Sequence, residues 1–406
     1  MIIGKQALAR MAVAIGVTAA SCFAPPFGVV PRPVSGDGGS GGSGGELAAG
    51  GAGGAGGCVH KVWPGLPTMD DPSSANLEFI VAVRSVDMGD GAPDLDSVGP
   101  KIGYDLDLHC TGDGDPSSCL APPGVAAASY KDGPGGVDNV AAKLFASAKA
   151  FSTKIGSVRY TESAEMGGWS LLLRVQEYNG TSNDTHVKLS LFPSPGIHTQ
   201  SCVADATVPA WDGSDAWPIE SSSLELGSGF GSDGGTGPCG KGVPGFSFDG
   251  AKFYDANAYV SNGTLVANIP NSQIIFASSS SSTILKLTAG FVTGKIVKDG
   301  TSFRLTNGVL AGRWKAVDLF SSLTHVLENG KSICTDSAVY QAVKLGVCQA
   351  RDIAATLGGP TTPCDALSLA LSFETFPAKL GIVLTSALSV STCPQATDPN
   401  LDSCSN

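Results

Sequence analysis

The side chains best suited to binding a metal are concentrated in an acidic stretch between residues 87 and 115. Eight of the 36 acidic residues of the chain fall within these 29 positions. Calcium takes six to eight oxygen ligands, and clustered carboxylates with nearby carbonyl groups supply them. The sequence therefore predicts a calcium site, to which one further acid from the next segment is added. The predicted metal ligands are Asp105, Asp107, Asp113, Asp115 and Asp138.

Within that stretch, residues 103–108 alternate between polar and apolar side chains, a pattern that predicts a strand. The alternation places Asp105 and Asp107 on one face, where like charges repel unless a cation or water separates them. The spacing of an EF-hand loop is not present. The alternative is that these aspartates form a solvated strand edge, which blunts edge-to-edge pairing.

A second polar group combines aromatic rings with acids between residues 211 and 217. Trp211 and Trp217 flank Asp212 and Asp215 in a sequence typical of a turn. An exposed indole can stack on a sugar ring while carboxylates accept its hydroxyl protons, so we predict that these four residues bind a ligand such as a glycan. The alternative is that a tryptophan packs in the core and its N–H is bonded to a neighbour.

Catalytic patterns are weak in this chain. The sequence holds no His-Glu-x-x-His zinc motif. Glycosidases need two facing carboxylates, and nothing in the sequence pairs the available glutamates. Those glutamates are Glu177, Glu220, Glu225 and Glu374. We therefore predict a non-catalytic binding or structural protein, with a secreted carbohydrate-active enzyme of the glycoside hydrolase type as the alternative.

The charge balance disfavours two classes of partner. The chain has 406 residues, and its 25 basic and 36 acidic residues give a formal net charge of −11. Sequence-independent binding of nucleic acid needs a basic face, so we predict no nucleic-acid partner. The same balance disfavours docking on anionic lipid headgroups.

The N-terminus has the pattern of an export signal. Lys5 and Arg10 precede a short apolar segment over residues 11–20, and small residues follow it. The residues before Cys22 resemble a bacterial lipobox. We therefore predict a signal peptide over residues 1–21, acylation of Cys22, and membrane contact through this lipid anchor only, at the bacterial outer membrane or cell surface. Ordinary cleavage nearby, with Cys22 unmodified, is the alternative.

The cysteine count supports an oxidising compartment. Eleven cysteines minus an acylated Cys22 leave ten, which is enough for five disulfides. Short separations favour the pairs Cys110–Cys119 and Cys334–Cys348, and Cys202–Cys239 would close a glycine-rich loop. Zinc is disfavoured because no Cys-x-x-Cys motif is present and the five histidines are scattered. The ten cysteines are Cys58, Cys110, Cys119, Cys202, Cys239, Cys334, Cys348, Cys364, Cys393 and Cys404.

Composition divides the mature chain into three parts. Residues 22–74 are rich in glycine and serine and predict a flexible, lipid-anchored linker. Residues 75–393 form a β-rich body, in which residues 227–245 could separate two subdomains, and residues 394–406 form a C-terminal tail. Short strands with turns every 8–12 residues predict an antiparallel β-sandwich of the jelly-roll type, with a few peripheral helices and disulfide staples.

Several short stretches carry a resemblance to a known family. They are residues 103–107 before Cys110, residues 132–139, 178–181 with 183–184, 212–213 with 215 and 217, 311–314, and 364–366. In these stretches the chain resembles a family of uncharacterised bacterial secreted proteins and lipoproteins. The resemblance implies export, usually a lipid anchor, and no assigned activity. Members often carry further cysteines near Gly112 and Lys131, which this chain lacks.

Overall fold

A closed barrel of eight antiparallel strands forms the centre of the protein in this computed structural model. Each barrel strand is hydrogen-bonded to two neighbours, so the barrel has no free edge. The structure describes residues 58–112, 115, 118–125, 131–149, 155–197, 208–226, 236–237, 240–241, 245–278, 281–328, 331–356, 361–384 and 391–404.

The strands divide into the barrel and short pairs outside it. In chain order they are β1 (Leu77–Asp87), β2 (Ser170–Tyr178), β3 (Asp184–Ser194), β4 (Ala216–Glu220), β5 (Leu224–Leu226), β6 (Thr236–Gly237), β7 (Gly240–Lys241), β8 (Phe246–Ala251), β9 (Phe253–Ser261), β10 (Thr264–Ser278), β11 (Ser281–Asp299), β12 (Ser302–Lys315), β13 (Leu327–Glu328), β14 (Lys331–Ser332), β15 (Ala366–Pro377) and β16 (Lys379–Leu384). Around the barrel the order is β1, β15, β12, β11, β10, β9, β3 and β2, and β2 closes the ring on β1.

Side-chain alternation along the barrel strands builds two cores. In β2, Leu171 and Leu173 belong to the large core inside the barrel, whereas Leu172 between them belongs to a second core. Because successive strand residues point to opposite faces, the second core lies on the outer face. There β4 and β16 pair in parallel and contribute Trp217 and Val383. This part of the barrel is therefore buried on both faces.

Aromatic rings fill one region of the interior. Tyr160 stacks on Phe276 with ring centroids 4.4 Å apart, and Trp169 meets Phe276 edge-on at 4.6 Å. The Trp169 Nε1–H donates a hydrogen bond of 2.8 Å to the Tyr160 carbonyl. The buried indole is thus satisfied, as such groups usually are.

Short helices lie around the barrel. They are α1 (Leu95–Val98), α2 (Val140–Ala148), α3 (Ser157–Glu165), α4 (Ala316–Leu323) and α5 (Ala338–Gln349). Helical spacing over residues 138–150, 315–327 and 339–351 predicts α2, α4 and α5. No such pattern predicts α3, because its only buried apolar residues are Tyr160 and Ala164 and the rest of the helix is largely polar. In the part of the chain that the structure describes, no helix has the length and apolar character needed to cross a membrane.

The disulfides join segments that are distant in the sequence. The described bonds are Cys58–Cys110, Cys119–Cys364, Cys334–Cys393 and Cys348–Cys404. Disulfide formation by these cysteines is confirmed, but the predicted pairs Cys110–Cys119 and Cys334–Cys348 are wrong. Proximity is set by the closing of the barrel, which brings Cys119 to Cys364 across 245 residues. Cys22 and the pair Cys202–Cys239 lie outside the described residues.

The folded body is longer than composition indicates. Trp63, which falls in the predicted linker, is only 3% exposed and stacks on Phe291 with ring centroids 3.9 Å apart. At the other end, Asp402 of the predicted tail accepts a hydrogen bond of 2.9 Å from the Tyr340 hydroxyl. Residues 58–74 and 391–404 therefore belong to the body. Most of the predicted boundary over residues 227–245 lies outside the described residues.

The predicted fold class is confirmed, as the protein is mainly antiparallel β with peripheral helices and disulfides. The eight main strands form one closed sheet, whereas a sandwich consists of two facing sheets. Both architectures produce the same alternation of side chains, so the sequence pattern could not distinguish them.

Candidate metal centre

The loop that carries Asp105 and Asp107 is not the strand that its alternation predicts. Residues 103–108 lie outside the strands, and Leu108 adopts a φ of +62°. The Asp105 amide donates to the carbonyl of Lys61 at 2.9 Å instead of to a neighbouring strand. Asp105 is 0% exposed and Asp107 is 9% exposed, so the alternative of a solvated strand edge is also wrong.

A second loop, residues 132–139, brings Asp138 to the same place. Its tight turn is closed by a hydrogen bond of 2.9 Å from the Gly133 amide to the Val137 carbonyl. Gly136 has a φ of +72°, and a side chain there would overlap the Asp105 carboxylate. The Asp138 amide then donates to the Tyr104 carbonyl at 3.0 Å, which fixes the two loops against each other.

Three of the predicted metal ligands converge in this way. One carboxylate oxygen each of Asp105, Asp107 and Asp138 lies within 4.8 Å of the other two, and all three residues are buried. Calcium–oxygen distances of about 2.3–2.6 Å allow ligand oxygens on one ion to be up to about 5 Å apart. The spacing therefore fits a single calcium ion, with carbonyl groups and water available to complete its coordination.

Backbone amides orient the three carboxylates. The His109 amide donates to Oδ1 of Asp105 at 3.2 Å and to Oδ1 of Asp107 at 2.9 Å. The Leu106 amide donates to Oδ2 of Asp138 at 2.7 Å. Each carboxylate has a second oxygen, and that of Asp105 lies 2.5 Å from Nδ1 of His60. The carboxylates are thus held in place before any ion arrives.

Burial raises the pKa of the carboxyl groups in this centre and thereby favours their protonated forms. Burial and the charge of Asp107 raise the pKa of Asp105 to about 9. Burial also raises the pKa of Asp107, and with neighbouring charges it raises the pKa of Asp138 well above its usual range. Without a cation, these acids avoid mutual repulsion by retaining protons.

Two further acids, which the sequence did not indicate as ligands, extend the negative charge. Burial and the charge of Asp107 raise the pKa of Asp132 to about 9, and burial raises the pKa of Asp352 to about 7. The Asp132 carboxylate accepts a hydrogen bond of 2.5 Å from the Thr111 amide. Asp352 accepts from the amide of Ser368 at 2.7 Å. The position of Asp132 at the start of the stretch 132–139 was the one available signal.

A single buried cation faces these acids. Arg313 is the one lysine or arginine side chain among the described residues that is buried, at 1% exposed. Its Nη2–H and Nη1–H groups donate to the carbonyls of Leu106 and Ala354 at 2.8 and 3.1 Å. These two hydrogen bonds of the guanidinium go to carbonyl oxygens rather than to carboxylates, and one positive charge faces five carboxyl groups. The excess negative charge is therefore neutralised by protons on the carboxyl groups or by a bound cation.

The other predicted ligands lie elsewhere. Asp115 is close to the centre but accepts a hydrogen bond of 3.1 Å from the Cys110 amide and groups with His60 and Cys110 rather than with Asp107. Asp113 lies outside the described residues. Of the five predicted metal ligands, the structure thus brings three together.

The predicted sugar platform is wrong for Trp217. Its side chain is 0% exposed and packs in the outer core, with its ring centroid 5.3 Å from that of Trp211. Asp215 accepts hydrogen bonds from the amides of Ala210 and Trp211, and Asp212 accepts from Ser214, so both acids shape the turn. Of the four predicted ligand-binding residues, all but Trp217 remain at least partly accessible, namely Trp211, Asp212 and Asp215.

The acidic centre does not have the arrangement of a glycosidase. Such enzymes place two carboxylates on either side of a sugar in an open cleft. Here Asp105 is 0% and Asp138 is 3% exposed, so a sugar has no access to them in this conformation. The geometry supports cation binding better than hydrolysis.

Comparisons with protein-family models, with curated proteins and with solved structures found no match to this chain.

Proposed function

We propose that this protein is an exported, lipid-anchored and non-catalytic component of the bacterial envelope, stabilised by one calcium ion. The observation that carries the calcium proposal is the convergence of three buried carboxylates, Asp105, Asp107 and Asp138, within 4.8 Å. Buried carboxylates with too few counter-charges are costly unless they are protonated or paired with a metal. A calcium ion removes that cost at neutral pH.

The position of the centre indicates what the ion would do. It lies where the loop 103–108 meets the loop 132–139, and both loops pack against β15, where the Asn139 amide contacts Ala370. An ion shared by both loops would link segments that otherwise have little regular secondary structure. Its role is therefore structural, in the sense that it favours the folded state over the unfolded chain.

Export is supported by the sequence signal and by the disulfides. Disulfides persist in oxidising compartments, and the described residues form four of them. The resemblance to bacterial secreted proteins and lipoproteins supports the same location. We propose that the N-terminal linker holds the body where it can bind a glycan or another envelope component.

The proposal is tested by thermal denaturation of the full chain with calcium and with EDTA. Calcium at a hundredfold excess over its Kd stabilises a protein by about 2.7 kcal/mol. For the roughly 300 residues that the structure describes, the unfolding entropy is about 0.6 kcal/mol/K, so the melting temperature should rise by about 4.5 °C. EDTA should reverse the rise.

Two variants identify the site. Asp107→Asn removes a proposed ligand and should abolish the calcium response. Asp96→Asn, a matched control on an exposed acid of the same stretch, should leave it intact. A melting temperature that is indifferent to both millimolar calcium and EDTA would contradict the calcium proposal, and equal responses of the two variants would place the ion elsewhere.

A further inference from the structure

The first residues of the chain that the structure describes lie directly over the acidic centre. This N-terminal strap, residues 58–66, is attached by the Cys58–Cys110 disulfide and by a hydrogen bond of 2.8 Å from the Lys61 amide to the Gly135 carbonyl. His60 lies between the two attachments, and its side chain is 33% exposed. The strap thus places a cysteine and a histidine beside a loop that holds another cysteine and an acid.

Four metal-binding side chains meet at this attachment. The donor atoms of His60, Cys110 and Asp115 lie within 4.8 Å of one another, and Cys58 is bonded to Cys110. The Asp115 carboxylate is held against the Cys110 amide at 3.1 Å. Two sulfurs, an imidazole nitrogen and a carboxylate oxygen form a donor set that zinc accepts.

The distances match tetrahedral zinc. Bonds of about 2.3 Å to sulfur and about 2.05 Å to nitrogen, at a tetrahedral angle, separate the two donors by about 3.5 Å. The Cys110 Sγ and His60 Nδ1 atoms are 3.7 Å apart. The His60 Nδ1 atom therefore already lies at about the distance from Cys110 Sγ that binding of one zinc ion by both atoms requires.

We propose that Cys58, Cys110, His60 and Asp115 form a zinc site when the Cys58–Cys110 bond is in its dithiol state. Zinc binding at these four residues does not require a calcium ion at the acidic centre. In the disulfide state the sulfurs are bonded to each other and are poor ligands, because the thiolate is the form that binds metal. The strap is then held by the disulfide, and in the dithiol state the metal takes over that role.

The change of state is a thiol–disulfide exchange with a dithiol reductant. A reductant thiolate attacks one sulfur of the bond to form a mixed disulfide, and the second reductant thiol displaces the protein sulfur. The reductant is oxidised to its own disulfide, and Cys58 and Cys110 become two thiols. Zinc binding to them releases two protons. Nδ1 of His60, now 2.5 Å from Oδ2 of Asp105, exchanges that partner for the metal.

The test uses a variant that frees one thiol without any reductant. In a Cys22→Ser background, Cys58→Ser leaves Cys110 as a thiol next to His60 and Asp115, while the other disulfides stay intact. This variant should bind one Co²⁺ per chain with thiolate-to-cobalt absorption, and Zn²⁺ should displace the Co²⁺. The matched control, Cys334→Ser, frees Cys393 at a distant disulfide and should bind Zn²⁺ at least tenfold more weakly.

Further variants assign the ligands and control for folding. Adding His60→Ala or Asp115→Asn to Cys58→Ser should weaken Zn²⁺ binding at least tenfold, while circular dichroism shows that each variant is folded. Wild type reduced with a phosphine should show stronger thiolate-to-cobalt absorption than Cys58→Ser, because Cys58 and Cys110 then both supply thiolates. Equal binding by the Cys58→Ser and Cys334→Ser variants would overturn the proposal, as would no loss on changing His60 and Asp115. Asp107→Asn should leave Zn²⁺ binding unchanged, which separates this outcome from failure of the calcium site.

Discussion

Replacement of Asp105 by asparagine should stabilise the calcium-free protein at neutral pH and remove its response to calcium. The reason is the proton that the buried carboxyl retains. Its pKa is raised from 3.8 to about 9 in the folded protein, because it is buried beside Asp107. Asparagine has nearly the same shape and carries no titrating proton.

The sign and the size follow from linkage. A group whose folded pKa is raised gives stability that is fully present below its unfolded pKa and is lost as the pH rises through its folded pKa. For Asp105 this window runs from about pH 4 to about pH 9. At pH 7 the loss reaches about 1.36 kcal/mol for each of the roughly three pH units above 3.8, or about 4 kcal/mol.

The Asp105→Asn variant avoids this loss. In EDTA at pH 7 it should melt up to about 7 °C above the wild type, given an unfolding entropy of about 0.6 kcal/mol/K. At pH 4 the two proteins should melt within about 1 °C, because both carry a neutral side chain there. Saturating calcium should reverse the order at pH 7, since only the wild type keeps the ligand.

The assay is thermal denaturation from pH 4 to pH 8, in EDTA and in calcium, with Asp96→Asn as the exposed control. One result would refute the reasoning. If Asp105→Asn in EDTA is less stable than the wild type at pH 8, then Asp105 is ionised and its charge is stabilised by His60, 2.5 Å away.

Three other predictions concern the anchor, the disulfides and the strap. Cys22→Ser should move the protein from the detergent phase to the aqueous phase of a detergent separation, and identical partitioning would contradict acylation. Peptide mapping without reduction should recover Cys119 joined to Cys364, whereas a peptide joining it to Cys110 would contradict the structure. Trp63→Ala should lower the free energy of unfolding by about 3–5 kcal/mol in denaturant titrations, since the indole is buried. The exposed control Val59→Ala should change the free energy of unfolding by less than about 0.5 kcal/mol. Equal losses of stability in the two variants would indicate that this segment belongs to the linker and not to the folded body.

Strands and hairpins were predictable because their signals are local. The pattern over residues 169–175 and 186–192 predicts a hairpin, and the structure pairs Ser170–Tyr178 with Asp184–Ser194. Turn residues between two alternating runs determine such a pair without knowledge of the rest of the chain. The number of sheets was not predictable in this way, because closure of the barrel depends on pairing between β1 and β15, nearly 300 residues apart.

The acidic centre was predictable only in part. The density of aspartates identified Asp105, Asp107 and Asp138, but for the wrong reason, because an alternating strand was expected and two irregular loops were found. Arg313 and Asp352 reach the centre from β12 and from the segment before β15, and no short-range pattern connects them with residue 105. The zinc donors were missed for the same reason, since Cys58, His60, Cys110 and Asp115 come from two segments about 50 residues apart.

The neighbouring pair Asp138 and Asn139 explains why the carboxylates remain together despite their repulsion. The Asn139 side chain donates to the carbonyls of Ile102 and Ala370 at 3.2 and 2.9 Å, and its oxygen accepts from the Ala370 amide at 2.9 Å. A buried amide bonded on both sides fixes the loop to the barrel strand β15, so Asp138 cannot turn away from Asp105. A rigid frame that holds like charges together destabilises the empty protein and lowers the reorganisation needed to bind an ion. Cation binding is the function that gains from such a frame, whereas a purely structural loop would be more stable with neutral residues at these positions.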